Sequence, residues 1–320
     1  MLLFACYRRS IYVLGFTDYF SGGHRMKVGF IGIGQMGRHM SRHILNAGYS
    51  LTVNDINKAA VTPLLNQGAQ WADNPGEVAR SCDVVFSSLP TPSIVEDVVY
   101  GKNGLKSGWK PGDIFIDMST NSPSTIRRIA ADAAVMGISV LDAPVSGGTG
   151  GAEKGTLAIM VGGDTAVLEK VRPVLETMGK NIFPVGGIGC GNIAKLVNNL
   201  IALTTNAITG EGFVLGVKAG IDAKVLWDII RVSTGNSWSL EQLPGTVFKA
   251  NFEPGFKLSL GRKDLGLALT MGEETGVPLP IGEAVRESMD AAIAAGLSEK
   301  NVQAVILPME EKNGVKVRIS

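Results

Sequence analysis

The stretch MKVGFIGIGQMG, which begins at Met26, most restricts the folds open to this chain. An apolar, β-rich run ends in a glycine-rich turn, and QMGRHMSRHILNAG follows with Met36, Met40 and Ile44 at helical spacing. Gly48 marks the end of that helix. A strand that leads through glycines directly into a helix is typical of the first unit of an open α/β sheet.

The alternation of strand and helix continues through the first half of the chain. YSLTVND, CDVVFSSLP, GDIFIDMST and ISVLDAPVSGG are further apolar strands, and TLAIMVGG and NIFPVGG are two short ones. This order predicts a parallel sheet with helices on both faces, and ligands of such sheets bind beyond the carboxyl ends of the strands. The informative residues therefore lie at strand exits, which are 32–37, 55, 89–90, 119–120 and 146–148.

The first exit carries the pattern GxGxxG, with Gly32, Gly34 and Gly37 as its glycines. Because the pattern follows a strand, opens a helix and precedes Asp55 at the end of the next strand, it predicts a dinucleotide site. Gly34 lets the backbone approach a pyrophosphate, which the helix N-terminus stabilises. Asp55 would accept hydrogen bonds from ribose hydroxyls and repel a 2′-phosphate, which favours NAD over NADP. Its alternative role is to cap the next helix.

The predicted cofactor-binding residues come from three strand exits. The dinucleotide is expected to cross the ends of neighbouring strands, so each exit contributes backbone or side chain. The residues are Gly32, Ile33, Gly34, Gln35, Met36, Gly37, Asn54, Asp55, Leu89 and Pro90.

Beyond about Gly189 the strand signals stop and long helical runs follow. We therefore predict a Rossmann-type domain over 26–189 and an all-helical domain over 190–308, joined by a long interdomain helix, with 309–320 as a C-terminal tail. Residues 1–25 fit neither domain. Our preferred interpretation is a start codon placed upstream of Met26, and a transit peptide is the alternative.

Composition excludes several classes of function. The 320 residues carry a formal net charge of +1 with no basic block, which argues against a nucleic-acid partner. The three cysteines have no metal or disulfide spacing, which favours a reducing, cytoplasmic compartment. His39 and His43 share a helix face without the glutamate of HExxH, so no metal is expected. The longest apolar run is broken by polar residues, so no membrane span is expected either.

The segment GCGNIAKLVNN opens the long apolar run and places a lysine in its first turns. Lys195 and Asn199 share a helical face because they are four residues apart. Desolvation at a cleft between the domains would depress the pKa of Lys195 into the range of a general acid or base. The alternative is a lysine that extends its ammonium into water. A helix that is apolar all round must be buried, which predicts a homodimer or homotetramer.

Together these motifs resemble the β-hydroxyacid dehydrogenase family, which includes 3-hydroxyisobutyrate dehydrogenase, tartronate semialdehyde reductase and 2-(hydroxymethyl)glutarate dehydrogenase. The resemblance runs from Met26 to about Pro308. It rests on the order and spacing of four stretches, FIGIGQMG, DAPVSGGTGGAEKGTLAIMVGG, GCGNIAKLVNN and LGRKDLGLAL.

The resemblance implies a role for each matching residue. Lys195 would exchange the hydroxyl proton while hydride moves between the substrate carbon and the nicotinamide, and Asn199 would hold the substrate beside it. The family's NADP-preferring members tend to carry Asn-Arg-Thr after the second strand, where this chain has Asp55, Ile56 and Asn57. The substrate carboxylate would lie on Ser146, Gly147 and Gly148, and the dinucleotide would also contact Thr120 and Lys263.

The resemblance leaves the substrate open. It implies interconversion of a small 3-hydroxy carboxylate and its semialdehyde, with 3-hydroxyisobutyrate, tartronate semialdehyde and 2-(hydroxymethyl)glutarate as alternatives. Lys257 and Arg231 are the candidates to hold a second carboxylate, and Phe256 and Trp238 could line the pocket, although core positions are favoured for both. A non-catalytic nucleotide-binding scaffold is the alternative from another class. A decarboxylating sugar-phosphate dehydrogenase would need a phosphate pocket and a longer chain.

Overall fold

The computed structural model describes residues 26–319 and begins with a doubly wound sheet. Its first six strands are parallel in the order β3-β2-β1-β4-β5-β6. The order reverses beside β1, and this switch point is where open α/β sheets bind their ligands. The strands are β1 (Val28–Ile31), β2 (Leu51–Asn54), β3 (Gln70–Trp71), β4 (Val84–Ser87), β5 (Ile114–Asp117) and β6 (Ser139–Asp142).

Helices connect these strands and cover both faces of the sheet. Buried side chains alternate between the faces, so that Phe30 packs in one core and Ile31 in the other. Polar side chains cap the starts of several helices near the strand exits, as Ser122 does for the fifth. The helices are α1 (Gly37–Asn46), α2 (Lys58–Leu65), α3 (Pro75–Ser81), α4 (Pro92–Tyr100) and α5 (Pro123–Ala134).

The sheet departs from the predicted parallel arrangement after β6. ISVLDAPVSGG was expected to form one strand, but it divides into β6 and a separate β7 (Val145–Ser146). Pro144 lies between them, and proline cannot donate to a strand ladder. β7 runs antiparallel to β8 (Leu157–Gly162), while β9 (Gly179–Gly186) runs parallel to β8. Between these strands lie α6 (Gly148–Lys154) and α7 (Thr165–Leu175).

The second half of the chain is helical, as predicted. The long helix α8 (Cys190–Lys218) leaves the sheet and passes through two apolar clusters formed by the later helices. Short 3₁₀ turns lie at 243–245, 247–249 and 302–306, and another at 105–107 lies in the first half. The later helices are α9 (Ala223–Ile230), α10 (Trp238–Gln242), α11 (Leu258–Thr275), α12 (Pro280–Ala294) and α13 (Leu307–Asn313).

Within 26–319, α8 is the one helix whose length and composition would allow it to cross a membrane. The sequence analysis did not expect such a helix, because polar residues interrupt its apolar run. In the structure two of these are buried: the amide of Asn199 donates to Asp264, and that of Asn206 donates to the carbonyl of Val302. Core helices of globular proteins meet the same length and composition criteria.

The segment 309–320, which the sequence analysis set apart as a tail, packs into the helical core over its described residues 309–319. Val317 is fully buried in the cluster around Phe248. Arg318 donates from Nη1 to Glu310 Oε1 at 2.6 Å and from Nη2 to Oε2 at 2.9 Å, which places a buried carboxylate in a two-pronged pair.

This pair predicts a specific loss of stability. In Arg318→Ala the Glu310 carboxylate, 5% exposed, loses its charged partner. Because Arg318 itself is 25% exposed, we expect the free energy of unfolding in urea to fall by about 2 to 3 kcal/mol, below the full cost of a broken buried pair.

The matched control is Arg172→Ala, which removes a similar two-pronged pair with Glu169, whose side chain is 54% exposed. We expect a much smaller loss of stability there, because water and ions screen a surface pair of this kind. Equal losses in the two variants would contradict the assignment of Arg318 to the core.

Candidate active site

The glycine-rich loop between β1 and α1 is held by contacts that only glycine permits at two positions. Gly32 has φ = +91°, and a side chain there would collide with the carbonyl of Ser88. A side chain at Gly37 would collide with the carbonyl of Gly32, so helix and strand pack closely. Gly34 is different, because nothing lies within 4 Å of the position its Cβ would take. The loop therefore leaves open space at its tip.

Asp55 fixes this loop from the exit of β2. Its Oδ2 accepts the N–H of Ile33 at 2.6 Å, and its Oδ1 accepts the N–H of Asn57 at 2.7 Å. The helix cap considered for Asp55 is instead supplied by Asn57, whose side chain accepts the N–H of Ala59. Asn54 is buried and donates to the carbonyl of Ala72, so its side chain joins two strands.

Next to the loop, the exits of β4 and β5 are tied together by hydrogen bonds. Asp117 is fully buried at the end of β5, where its Oδ1 accepts from the hydroxyl of Ser87 at 2.8 Å. The hydroxyl of Ser119 accepts the N–H of Leu89 at 2.9 Å. Leu89 remains partly buried and Pro90 is exposed. Burial raises the pKa of Asp117 against the opposing effect of these hydrogen bonds.

Helix α8 begins against the carboxyl end of β6. Its N-cap residue, Gly189, has φ = +89° and no capping side chain. Asp142 replaces that cap: its Oδ1 accepts the N–H of Gly189 at 2.8 Å, and its Oδ2 accepts the N–H of Asn192 at 2.7 Å. Burial raises the pKa of Asp142, and these hydrogen bonds oppose the increase. A buried carboxylate thus satisfies the first free N–H groups of the helix.

The face of α8 that carries Lys195 turns towards α11. Asn199, 6% exposed, donates from Nδ2 to Asp264 Oδ2 at 2.6 Å. The other oxygen of Asp264 lies 2.8 Å from Lys263 Nζ, which donates to the carbonyl of Thr120 at 2.9 Å. The structure therefore joins three predicted site residues, Asn199, Lys263 and Thr120, in one chain of contacts that includes the carboxylate of Asp264.

Lys195 itself is partly buried, one helical turn before Asn199. Burial lowers the pKa of its ammonium group, the negative charge of Asp264 opposes that change, and the positive charge of Lys263 adds to it. An amine with a lowered pKa exchanges protons more readily near neutral pH than an ordinary lysine does.

The turn 146–148 lies at the end of β7, where α6 begins. Gly147 and Gly148 have φ of +131° and +61°, and both are exposed. Nothing occupies the position of a Cβ at Gly148 within 4 Å. Ser146, Gly147 and Gly148 therefore present a hydroxyl and free backbone amides at a helix start, which is a suitable arrangement for a carboxylate.

The residues at the strand exits fit a nicotinamide dinucleotide. Gly34 leaves room for a pyrophosphate in front of α1, whose first turn holds no acidic residue. Gln35 and Met36 are partly exposed beside it. Asp55 stands at the neighbouring exit, where a ribose would lie. Among residues 26–319, no group of three or more His, Cys, Asp or Glu side chains could hold a metal ion.

Other candidate residues lie outside this cluster or are engaged elsewhere. Lys257 pairs with Glu299 at 2.6 Å, and Arg231 stacks on Trp227 at 4.6 Å from the ring centre. Phe256 packs in a core cluster, as expected. Trp238 was expected in a core as well, but it is the first residue of α10 and its side chain is 68% exposed.

Sequence reasoning missed Asp142, Asn192 and the full role of Asp264. The available signal was that two predicted strands, GDIFID and ISVLD, both end in a buried aspartate. The partners of these carboxylates come from distant segments that no local pattern connects.

Comparisons with known proteins cover nearly all of the chain that the structure describes. Residues 27–187 match the family model described as the NAD binding domain of 6-phosphogluconate dehydrogenase. Residues 189–309 match the model described as the NAD-binding region of NADP-dependent 3-hydroxyisobutyrate dehydrogenase.

Curated relatives are similar over almost their full lengths. The chain is 42% identical to a 2-(hydroxymethyl)glutarate dehydrogenase of Eubacterium barkeri, covering 91% of this chain and 97% of the relative. It is 39% identical to an NAD-dependent L-serine dehydrogenase of Pseudomonas aeruginosa, covering 87% and 96%.

Among solved structures, a Mycobacterium tuberculosis 3-hydroxyisobutyrate dehydrogenase with L-serine superposes with a TM-score of 0.82 at 34% identity. The match covers 89% of this chain and 99% of that one. Family models, full-length relatives and fold agree, and the chain belongs to the β-hydroxyacid dehydrogenase family.

Proposed function

We propose that this protein is an NAD-dependent dehydrogenase that interconverts a small 3-hydroxy carboxylate and its semialdehyde, with Lys195 as general acid and base. The observation that carries the proposal is the place of Lys195, partly buried one helical turn before Asn199, on a helix that Asp264 and Lys263 connect to the loop at Thr120. Burial at this place lowers the pKa of the Lys195 amine. Membership of the family supports the reaction class.

The names of the relatives support one common substrate element. 3-Hydroxyisobutyrate, L-serine and 2-(hydroxymethyl)glutarate each carry a primary hydroxymethyl group on the carbon that bears a carboxylate. We propose that this element is what the site recognises. Both candidate cations for a second carboxylate, Lys257 and Arg231, are already engaged, which favours a monocarboxylate over a dicarboxylate.

In the proposed mechanism each residue has one task. The hydroxyl and amides of Ser146, Gly147 and Gly148 bind the carboxylate and orient the hydroxymethyl carbon. A bound nicotinamide supplies the chemistry of hydride acceptance or donation. Neutral Lys195 removes the hydroxyl proton during oxidation, and its protonated form returns a proton to the carbonyl oxygen during reduction.

Asn199 completes the proposed proton site. Its Nδ2 donates to Asp264 and its Oδ1 accepts from Nδ2 of Asn198 at 3.0 Å, so two hydrogen bonds hold the amide in one orientation. Lys263 and Thr120 would contact the nicotinamide end of the dinucleotide, and Lys263 also provides a positive charge that keeps the Lys195 pKa low.

We further propose that 26–189 binds the dinucleotide, that 190–308 supplies the proton site and a subunit interface, and that the protein works in the cytoplasm. Cys82 and Cys190 are both free thiols, which fits a reducing compartment. The preferred start at Met26 and the alternative transit peptide concern residues outside the described range.

A stripe of exposed apolar side chains along α8 suggests that a second copy of the chain covers it. The stripe recurs at helical spacing on one face, opposite the buried asparagines. It consists of Val197, Ile201, Ile208 and Leu215, which are 44%, 62%, 58% and 71% exposed. We propose a dimer or tetramer built on this face.

Replacing Lys195 tests the proposed function. In Lys195→Met, which keeps the length of the chain without its amine, we expect kcat to fall by roughly 100- to 10,000-fold while NAD still binds. Turnover is followed as absorbance of reduced nicotinamide over a panel of short 3-hydroxy carboxylates. Lys224→Ala, which breaks a surface pair with Asp228, is the control. Full turnover by Lys195→Met would refute the mechanism. If the unsubstituted protein binds NAD but converts no substrate of the panel, the scaffold alternative is favoured.

The lowered pKa of Lys195 predicts opposite pH dependences for the two directions. Oxidation needs the neutral amine, so its rate should rise with pH and level off below the ordinary lysine range. Reduction needs the ammonium, so its rate should fall as pH rises through the same pKa. The initial rates of both reactions, measured across pH with saturating cofactor, give the two curves. If both rates rose with pH, or both fell, the result would contradict the role of Lys195 as general acid and base.

Asp55 predicts the choice of cofactor. We expect kcat/KM with NAD to exceed that with NADP, and Asp55→Asn to improve the ratio for NADP by about 10-fold, equivalent to about 1.4 kcal/mol of relieved repulsion. Asp164→Asn, at the cap of α7 across the sheet, is the matched control and should leave the ratio unchanged. A wild-type preference for NADP would overturn the argument.

The exposed stripe predicts an oligomer in analytical ultracentrifugation at micromolar concentration. Ile201→Glu combined with Leu215→Glu should shift the protein towards the monomer, because each charge would be buried in the contact. Val135→Glu changes an apolar residue that is 89% exposed on the Rossmann-type domain and should leave the assembly intact. A monomeric wild-type protein would refute the interface.

A further inference from the structure

Asn192 lies where the helix of Lys195 meets the sheet. It is fully buried, in the first turn of α8 and three residues before Lys195. Its N–H and its Nδ2 both donate to Asp142 Oδ2, at 2.7 and 3.2 Å. Its Oδ1 accepts the backbone N–H of Asn121 at 2.7 Å. We call this set of three hydrogen bonds the Asn192 bridge.

The Asn192 bridge connects the helix to the loop that carries Thr120. Asn121 is fully buried and also donates from Nδ2 to Asp117 Oδ2 at 2.9 Å, so the loop is anchored to the end of β5 as well. The backbone of residues 119–121 therefore has little freedom to move relative to α8. An amide is suited to this position because one side chain both donates and accepts.

A second connection joins the same loop back to the same helix. From the carbonyl of Thr120 the contacts pass to Lys263, to Asp264 and then to Asn199 on α8. Together with the Asn192 bridge, these contacts form a closed circuit through α8, the loop after β5 and α11. Along α8, Lys195 lies between the two attachment points, Asn192 and Asn199.

We propose that Asn192 is a positioning residue that sets the distance between the Lys195 amine and the nicotinamide-contacting loop at Thr120. It acts through the placement of the first turn of α8 and touches neither substrate nor cofactor. The inference rests on the proposed function of Lys195. Without the Asn192 side chain, Asp142 still accepts the backbone N–H groups at the start of α8, but the direct hydrogen bond from this turn to the backbone of Asn121 is lost.

The test compares Asn192→Ala with Asn206→Ala. Asn206 is a buried asparagine on the same helix whose amide donates to the carbonyl of Val302, away from the circuit, so its loss should lower stability without changing kcat. For Asn192→Ala we expect kcat to fall roughly 10- to 100-fold, as displacement of a reacting group by about 1 Å does, with a smaller change in the KM of the hydroxy acid. Thermal unfolding of both variants provides the comparison of stability.

The isotope effect separates positioning from slowed product release. With substrate deuterated at the hydroxyl carbon, the effect on kcat in Asn192→Ala should be at least as large as in the wild type, because the chemical step remains or becomes limiting. Asn192→Ser keeps a polar group towards Asp142 but is too short to span to Asn121, so it should show the same loss. If Asn192→Ala does not fold, Asn192→Ser is measured in its place.

Wild-type kcat in Asn192→Ala or Asn192→Ser would overturn the proposal. So would a reduced isotope effect, or an equal loss of kcat in Asn206→Ala. These outcomes differ from failure of the proposed function, because that function fails when Lys195→Met retains turnover, which would show that Lys195 is not the catalytic acid and base. If Lys195→Met is inactive and Asn192→Ala is fully active, only the positioning role proposed for Asn192 is rejected.

Discussion

The carboxylate of Asp142 is the constraint on which the rest of the site depends. It lies at the end of β6, fully buried, and accepts the N–H groups of Gly189 and Asn192 at the start of α8. An anion without a cationic partner is costly to bury, and the free N–H groups and dipole of a 29-residue helix provide the compensation. Because the bond is made to the backbone, it fixes where the helix starts and the direction in which its first side chains extend.

The proposed proton chemistry depends on how charges are arranged around Lys195. Burial lowers the pKa of Lys195, and Asp264, whose negative charge opposes that change, also contacts Asn199 and Lys263. A carboxylate directed at Lys195 alone would hold the amine in its charged form. With that charge divided among three partners, burial remains the dominant influence on the Lys195 pKa, which is the condition a reversible proton carrier requires.

Local patterns were sufficient to predict the first six parallel strands, the helical second half and the glycine loop between strand and helix, and they placed Lys195 and Asn199 on one helical face. Each depends on residues close together in the chain, such as the strand before Gly32 or the helical phase of Lys195 and Asn199. The circuit around Lys195 could not be predicted, because its bonds join Asn192 to Asp142 and Asn121 across separations of 50 and 71 residues. Strand direction after Pro144 and the exposure of Trp238 also depend on tertiary packing, which propensity does not encode.

The close backbone contact in the first turn of α8 fixes the direction of the whole helix. A Cβ at Gly191 would lie 2.5 Å from the carbonyl oxygen of Met160 and 2.6 Å from that of Asp142, so one added methyl group would wedge the helix away from the sheet. Since 29 residues of helix extend about 43 Å, a tilt of about 5° at the root would move the far end by about 4 Å. The absence of a side chain at Gly191 thereby keeps the proposed proton site and the far end of the apolar stripe aligned with the sheet.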